Sequence, residues 1–198
     1  MDIEIRIEGV TPLLMHAFTD ADQMAASSGS RAASAASDRG SAKEQAAAHL
    51  YLAADGETII IPQPNVFSCI VAAGKFFKNG KSKITTLKTS LIPACVFFND
   101  TEFPLDHGGW CVDTRPVRIP STGGRIQRHR PVFERWALDF NVELDTAEMS
   151  PKLFREIIDA AGNKIGMGDF RPECKGPFGR FKVTKWAQHE EQPLKEAA

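Results

Sequence analysis

The segment KIGMGDFRPECKGPFGRFKV, residues 164–183, has a composition that could bind phosphate groups. Glycines expose backbone N–H groups to an anion, and nearby lysines and arginines supply positive charge. The residue order is neither that of a Walker loop nor that of a dinucleotide-binding fingerprint. A second interpretation stays open, in which the glycines form a tight helix-to-strand connection and the cations are solvated. The glycines are Gly166, Gly168, Gly176 and Gly179, and the cations are Lys164, Arg171, Lys175, Arg180 and Lys182.

Two further segments concentrate positive charge, although the net charge of the chain is only -1. Residues 75–88 contain five lysines, residues 115–130 contain five arginines, and neither segment contains an acid. We expect both segments to contact the phosphates of a nucleic acid, because Lys and Arg neutralise phosphates irrespective of the base sequence. The alternative is that both segments are solvated surface. Phe170 and Phe178 could stack on bases or could belong to the core. The basic residues are Lys75, Lys78, Lys81, Lys83 and Lys88, then Arg115, Arg118, Arg125, Arg128 and Arg130.

Residues that could catalyse a reaction form weaker patterns. His16 could transfer protons, but a packed or surface histidine is the simpler interpretation. Asp20 and Asp22 form a D-x-D pair in an Ala/Ser-rich segment, where a solvated loop is again simpler. We expect Asp169 to hold its loop through hydrogen bonds rather than to catalyse. The sequence therefore favours a binding protein over an enzyme, with no cofactor and with Asp20 and Asp22 as weak catalytic candidates.

The cysteines give no sign of a metal site or of a disulfide framework. Cys69, Cys95, Cys111 and Cys174 are far apart, and no pair has C-x-x-C spacing. The sequence has no signal-peptide pattern, and no apolar run approaches the length that crosses a membrane. We therefore expect a reducing, cytoplasmic location and no membrane partner.

Periodicity and capping predict the elements that position these residues. MDIEIRIEGV alternates apolar and polar residues, which is typical of a half-buried strand. Residues 63–80 predict a helix that ends at Gly80, and EFPLDHGGW predicts a loop. A second helix begins after the N-cap residue Ser150 and ends near Gly162. RFKVTKW predicts the last strand, and TSLIPACVFFND an apolar strand.

This order of elements predicts a single α+β domain over residues 1–198. Two helices on one antiparallel sheet, in β-α-β-β-α-β order, give a ferredoxin-like, RRM-like fold. The Ala/Ser-rich segment predicts a mobile insertion at about 21–48, whose alanines could form a helix from about 42 to 50. The arginine-rich segment predicts a long basic hairpin at about 112–133.

Three motifs resemble the RAMP superfamily, the ferredoxin-like proteins of CRISPR effector complexes. IGMGDFRPECKGPFGRFKV is similar to that family's C-terminal glycine-rich loop, and IIIPQPNVFSCIVAAGKFF to its strand–helix element. IEIRIEGVTPLLM resembles its first strand. The whole pattern also resembles proteins encoded in the genomes of tailed phages.

The resemblance implies a subunit that binds guide RNA, or another single-stranded nucleic acid, and assembles head to tail along it. Other effector-complex subunits would then be further partners, and the basic hairpin would act as a thumb. Some family members cut RNA with an aspartate in the loop after the first strand, the region of Asp20 and Asp22. Two alternatives stay open: a metal-dependent ribonuclease, and a phage assembly or defence-blocking factor that binds proteins. The choice between RNA and DNA also stays open.

Overall fold

An antiparallel sheet of six strands forms the centre of the molecule. The structure is a computed structural model that describes residues 1–18, 40–118 and 125–189. Neighbouring strands of this sheet all run antiparallel. In spatial order they are Phe181–His189 (β11), Asp2–Gly9 (β1), Trp136–Leu144 (β10), Glu102–His107 (β7) and Ile60–Pro62 (β3), while Val96–Phe98 (β6) pairs with β10.

The alternation in the first strand turns one face of the sheet inward. Ile3, Ile5 and Ile7 are at most 1% exposed, whereas Glu4 and Arg6 alternate with them on the other face. Strand β10 repeats the same alternation beside β1. Because buried apolar area is the main driving force for folding, these two central strands anchor the core.

Helices cover the inward face of the sheet. Val66 and Ile70 from the first long helix and Phe154 and Ile157 from the second share one apolar core with β1. The Ser150 hydroxyl accepts a hydrogen bond from the Leu153 N–H at 3.3 Å, which confirms the predicted N-cap. The helices are Ala42–Ala47 (α1), Gln63–Ala73 (α2), Ile92–Cys95 (α3) and Pro151–Ala160 (α4).

The topology confirms the predicted α+β, ferredoxin-like class. The core elements follow one another along the chain as β1, α2, β7, β10, α4 and β11. Their spatial order, β11-β1-β10-β7, places the first and third of these strands side by side at the centre. The strand β3 extends the edge beyond β7.

The predicted basic hairpin forms a separate sheet. Its arms are Cys111–Arg118 (β8) and Arg125–Phe133 (β9), and β9 also pairs with Leu13–Leu14 (β2). Its apex, residues 119–124, lies outside the described residues.

The predicted mobile insertion at about 21–48 lies mostly outside the described residues. Its end, residues 40–48, contains α1, which packs against β8 and β9. Ala46 is fully buried there, and Ser41 and Glu44 form a capping box. The helix proposed for about 42–50 is therefore present.

Three other predictions needed correction. Helix α2 ends at Ala73 rather than at Gly80, and a 3₁₀ turn, Gly74–Phe76, follows it where the buried Ile84 and its neighbour Thr85 pack against Gly74. The lysines that follow lie on a small hairpin, Lys78–Asn79 (β4) and Ser82–Lys83 (β5). The predicted loop EFPLDHGGW contains β7, and the predicted strand TSLIPACVFFND divides into α3 and β6.

Helix α4 ends in a π-helical turn, Ala161–Ile165, that brings it against β11. A Cβ atom on Gly162 would lie 2.1 Å from the carbonyl oxygen of Phe181. Gly162 was predicted to cap the helix, but it instead permits this close approach. The chain reverses four residues later at Gly166, whose φ is +76°.

We predict that Gly179→Ala destabilises the protein far more than Gly56→Ala. Both glycines have left-handed φ angles, +71° and +74°. A Cβ atom on Gly179 would lie 1.8 Å from the Met167 carbonyl oxygen, whereas nothing lies within 4 Å of one on Gly56. The backbone cost of about 1–2 kcal/mol is common to both, so the clash at Gly179 should add at least about 2 kcal/mol.

Urea unfolding followed by circular dichroism measures this difference directly. Gly56→Ala is the matched control because it carries the conformational cost without the clash. Equal losses in the free energy of unfolding would show that the backbones at Gly179 and Met167 can separate at little cost.

Candidate functional site

The glycine-rich loop, residues 166–179, uses its backbone amides to hold itself against the rest of the protein. The amides of Gly166, Gly176 and Gly179 donate to the carbonyl oxygens of Ala161, Arg171 and Pro12 at 2.8–2.9 Å. These three amides are therefore not available to a phosphate, and the prediction that they bind one is wrong. The open alternative, a tight connection, describes them correctly.

Gly168 also serves close packing. Its φ is +76°, and a Cβ atom on it would lie 2.5 Å from the carbonyl oxygen of Leu14. The next residue, Asp169, donates its backbone N–H to that same oxygen at 2.7 Å. The loop is thus fastened to the segment that follows β1, and only a glycine fits at this crossing.

The two phenylalanines of the loop have different environments. Phe178 is only 7% exposed and packs with Leu14 and Val132 in a small apolar cluster, so the core alternative describes it and base stacking does not. Phe170 is half-buried at the edge of this cluster. Its φ of +48° is rare for a residue with a side chain, and the Asp169 carboxylate accepts its N–H at 2.8 Å. The predicted structural role of Asp169 is confirmed.

A buried arginine joins the hairpin to the loop. Arg130 in β9 donates to the Asp169 carboxylate at 2.5 Å and lies 3.6 Å from the Asp113 carboxylate in β8. Its side chain is only 6% exposed. Arg130 therefore acts in the fold, and the prediction that it contacts nucleic acid needs correction.

The ionisation of Asp169 reflects this contact. Partial burial alone would raise the pKa of the Asp169 carboxyl. Hydrogen bonds from Arg130 and from the Phe170 N–H, together with the charge of Arg130, outweigh burial and lower the pKa below its usual value. Asp169 is consequently a carboxylate whose charge is neutralised locally.

A groove of about 520 Å³ lies between the hairpin and the glycine-rich loop. We call it the arginine groove. On the hairpin, Arg115 lies directly opposite Arg128, and Arg118 lies directly opposite Arg125. The arginine groove is lined by His16, Arg115, Pro116, Val117, Arg118, Ile126, Arg128, Arg130, Asp169 and Phe170.

Two arginines of the groove are held in defined positions. The Arg115 guanidinium lies 4.8 Å from the centre of the Phe178 ring, and its Nε donates to Asp113 at 2.7 Å. Arg128 Nη1 lies 2.7 Å from His16 Nε2. Because arginine can only donate, His16 accepts this hydrogen bond through a neutral ring nitrogen. His16 also packs on His49, with ring centres 4.2 Å apart.

The lysines form a second basic region, which we call the lysine surface. Lys75, Lys83 and Lys88 line one shallow depression together with Glu173. Lys78 and Lys81 are exposed on the adjoining β4–β5 hairpin.

Part of this charge is neutralised within the protein. Glu173 accepts from Lys75 at 3.2 Å and from Arg171 at 3.0 Å. Burial opposes ionisation of Glu173, but the hydrogen bonds and charges of these two cations lower the pKa of its carboxyl. Glu173 thereby connects the lysine surface to the glycine-rich loop.

The remaining predicted residues occupy the rim of the loop. Lys175 has a left-handed φ of +63° and, like Arg180, is exposed. The Lys164 ammonium lies 4.5 Å from the ring centre of Phe76, and Lys75 approaches the same ring at 5.3 Å. Phe76 is 46% exposed, and our sequence analysis did not select it. Its place between Lys75 and Lys78 was the available signal in the sequence.

The weak catalytic candidates Asp20 and Asp22 lie outside the described residues. Within residues 1–18, 40–118 and 125–189, no three side chains of the metal-binding types come together. Across these same ranges, no helix is long and apolar enough to cross a membrane.

Comparison with other proteins does not assign a function, so the assignment depends on the geometry of the site. Neither the models of known protein families nor the curated proteins gave a match to this chain.

We predict that Arg130→Met lowers the free energy of unfolding at neutral pH by about 3 kcal/mol, because it leaves two carboxylates without their buried partner. This loss is at the low end of the range for broken buried ion pairs, about 3–5 kcal/mol, because the Asp169 side chain is 37% exposed. The pKa of Asp169 is lower in the folded state, so its contribution is present above the unfolded pKa of about 4. It is lost as the pH falls through the folded pKa.

The difference between Arg130→Met and the unsubstituted protein should therefore shrink at a pH of about 3, measured by urea unfolding. The exposed Arg135 provides the matched control as Arg135→Met. If Arg130→Met lowers the free energy of unfolding equally at neutral pH and at the lower pH, the assignment of Asp169 as the ionised partner of Arg130 is contradicted.

Proposed function

We propose that this protein binds single-stranded nucleic acid through its phosphate backbone, in the arginine groove. Most of the affinity comes from electrostatic contacts with phosphates. These contacts do not depend on the base sequence, because arginines neutralise phosphates without contacting the bases. The lysine surface extends the basic region for a longer strand. Its exposed lysines suit the weaker, outer contacts of such a strand.

The observation that carries this proposal is the placement of arginines directly opposite one another on β8 and β9. Like charges at directly opposite positions of an antiparallel pair destabilise it. Arg115 faces Arg128, and Arg118 faces Arg125. Of the two carboxylates beside the groove, Asp169 pairs with the buried Arg130, and Asp113 is shared between Arg130 and Arg115. A bound polyanion would relieve this repulsion.

The charges on the outer face of the central sheet also favour a binding site on the hairpin side. Many RRM modules stack RNA bases on aromatic residues of the open sheet face. Here that face carries four acids, Glu4, Glu8, Asp106 and Asp139, against Arg6, which pairs with the two aspartates, and Lys185, which pairs with Glu4. A phosphate backbone would be repelled there, so the strand is directed to the hairpin side.

The proposal includes assembly, as the resemblance to the RAMP superfamily implies. Several copies would bind head to tail along one strand, with a heterologous contact that does not close into a ring. Such a complex would work with guide RNA and other effector subunits. All four cysteines are free thiols, which suits the cytoplasmic location that we propose for it.

We predict that the double variant Arg118→Gln/Arg125→Gln weakens binding to single strands of every sequence alike. Both side chains are exposed, so the fold should tolerate the change. Each lost phosphate contact should lower the slope of log affinity against log salt by about 0.7, giving a fall of about 1.4. Fluorescence anisotropy titrations at several salt concentrations measure this slope.

The matched control removes two charges from the acidic sheet face, as Arg135→Gln/Lys185→Gln. Arg135 lines a depression there with Arg6, and the exposed Lys185 pairs with Glu4 at 2.7 Å. Equal slopes for the two double variants would contradict binding in the groove. A protein that binds no single strand even at low salt, but copurifies with a protein partner, would overturn the proposed function.

We further predict that the number of bound copies rises with the length of the strand. Sedimentation velocity of the protein with a short and with a long oligonucleotide should give one copy on the former and several on the latter. High salt should dissociate both complexes, because the contacts are electrostatic. A single copy on strands of any length would contradict head-to-tail assembly but not binding.

A further inference from the structure

A cavity of about 230 Å³ adjoins the arginine groove. It lies between α2, the segment after β1 and the glycine-rich loop. The cavity and the groove share two lining residues, His16 and Asp169. The two spaces are therefore neighbours that border the same pair of side chains.

The size of the cavity limits what it can hold. Sites for drug-sized ligands usually measure about 300–1,000 Å³, and this one is smaller. It is nevertheless several times the volume of a water molecule, which is about 30 Å³ in the liquid. One flat ring system fits these limits.

The walls offer planar groups on which a ring can stack. Tyr51 and Arg171 both line the cavity, and unpaired bases stack on aromatic rings and on guanidinium planes. The Arg171 guanidinium is fixed by hydrogen bonds to the Gly168 carbonyl oxygen at 3.1 Å and to Glu173 at 3.0 Å. A fixed plane loses little freedom when a base stacks on it.

The cavity also contains a group that can read the edge of a base. Asn65, half-buried in the first turn of α2, lines it together with Ser68. Its side-chain amide forms no hydrogen bond with any of the described residues, whereas the Ser68 hydroxyl donates to the Asn65 backbone carbonyl at 3.2 Å. An amide presents a donor and an acceptor side by side, which matches the paired groups on a base edge.

We propose that this cavity takes one unpaired base of the strand whose phosphates lie in the arginine groove, and that Asn65 gives it base selectivity. This inference rests on the proposed function. The ligand class is a nucleobase within a single strand. The groove then supplies sequence-independent affinity, and the cavity supplies a preference at one position.

The test compares short RNA homopolymers of adenosine, uridine and cytidine by fluorescence anisotropy, with the full chain and with Asn65→Ala. We expect the unsubstituted protein to prefer one homopolymer by about tenfold, which is typical of one amide reading a base edge. Asn65→Ala should abolish this preference and leave the salt dependence unchanged. Asn141, which is exposed on β10, provides the matched control as Asn141→Ala.

The outcomes separate this inference from the proposal on which it rests. Equal affinities for the three homopolymers, with normal salt dependence, would overturn the cavity assignment and leave the groove intact. A preference that survives Asn65→Ala would also overturn it. If no homopolymer binds at low salt, both the groove and the cavity assignments fail.

Discussion

The buried ion pair between Arg130 and Asp169 fixes the relation between the two basic parts of the molecule. The hairpin leaves the central sheet as a separate ribbon, and the glycine-rich loop leaves the end of α4. A charged side chain that is only 6% exposed must recover a large desolvation cost through its contacts. Arg130 forms its shorter contact, the one to Asp169, only when the loop and the hairpin lie together. The groove between them is therefore a consequence of folding rather than of ligand binding.

The same junction explains why the loop is rich in glycine. The segment after β1 passes between the loop and β9: Met15 donates its N–H to Pro131, while Asp169 donates to Leu14. Three stretches of main chain meet within hydrogen-bonding distance, which leaves no room for a Cβ atom at Gly168 or Gly179. The glycines thus bring cationic side chains close together. Three of their own amides are hydrogen-bonded within the fold.

In this protein the sequence predicts most of the secondary structure correctly, but it does not predict which charged side chain is buried. The alternation of β1, the Ser150 cap and the order of elements are local signals, and they lead to the correct fold class. Strand β7 escaped prediction because Pro104 and the HGG that follows are typical of loops, while its pairing partners are distant in the chain. Arg130 resembles the other arginines of its segment, because its partner Asp169 is 39 residues away. The Asn65 amide and Phe76 likewise acquire their surroundings only through tertiary contacts.

The distribution of charge ties these features to the proposed function. A net charge of -1 conceals an acidic sheet face and a basic hairpin side, so the molecule would orient itself in the field of a polyanion before contact. Arginines opposite one another in β8 and β9 cost stability in the free protein, because each pair repels across the ribbon. Neutral residues there would make the hairpin more stable. The repulsion is useful if it is relieved on binding, since the relief then adds to the affinity for the strand. A local loss of stability beside a groove is typical of a functional site, which supports the proposed binding of a polyanion there.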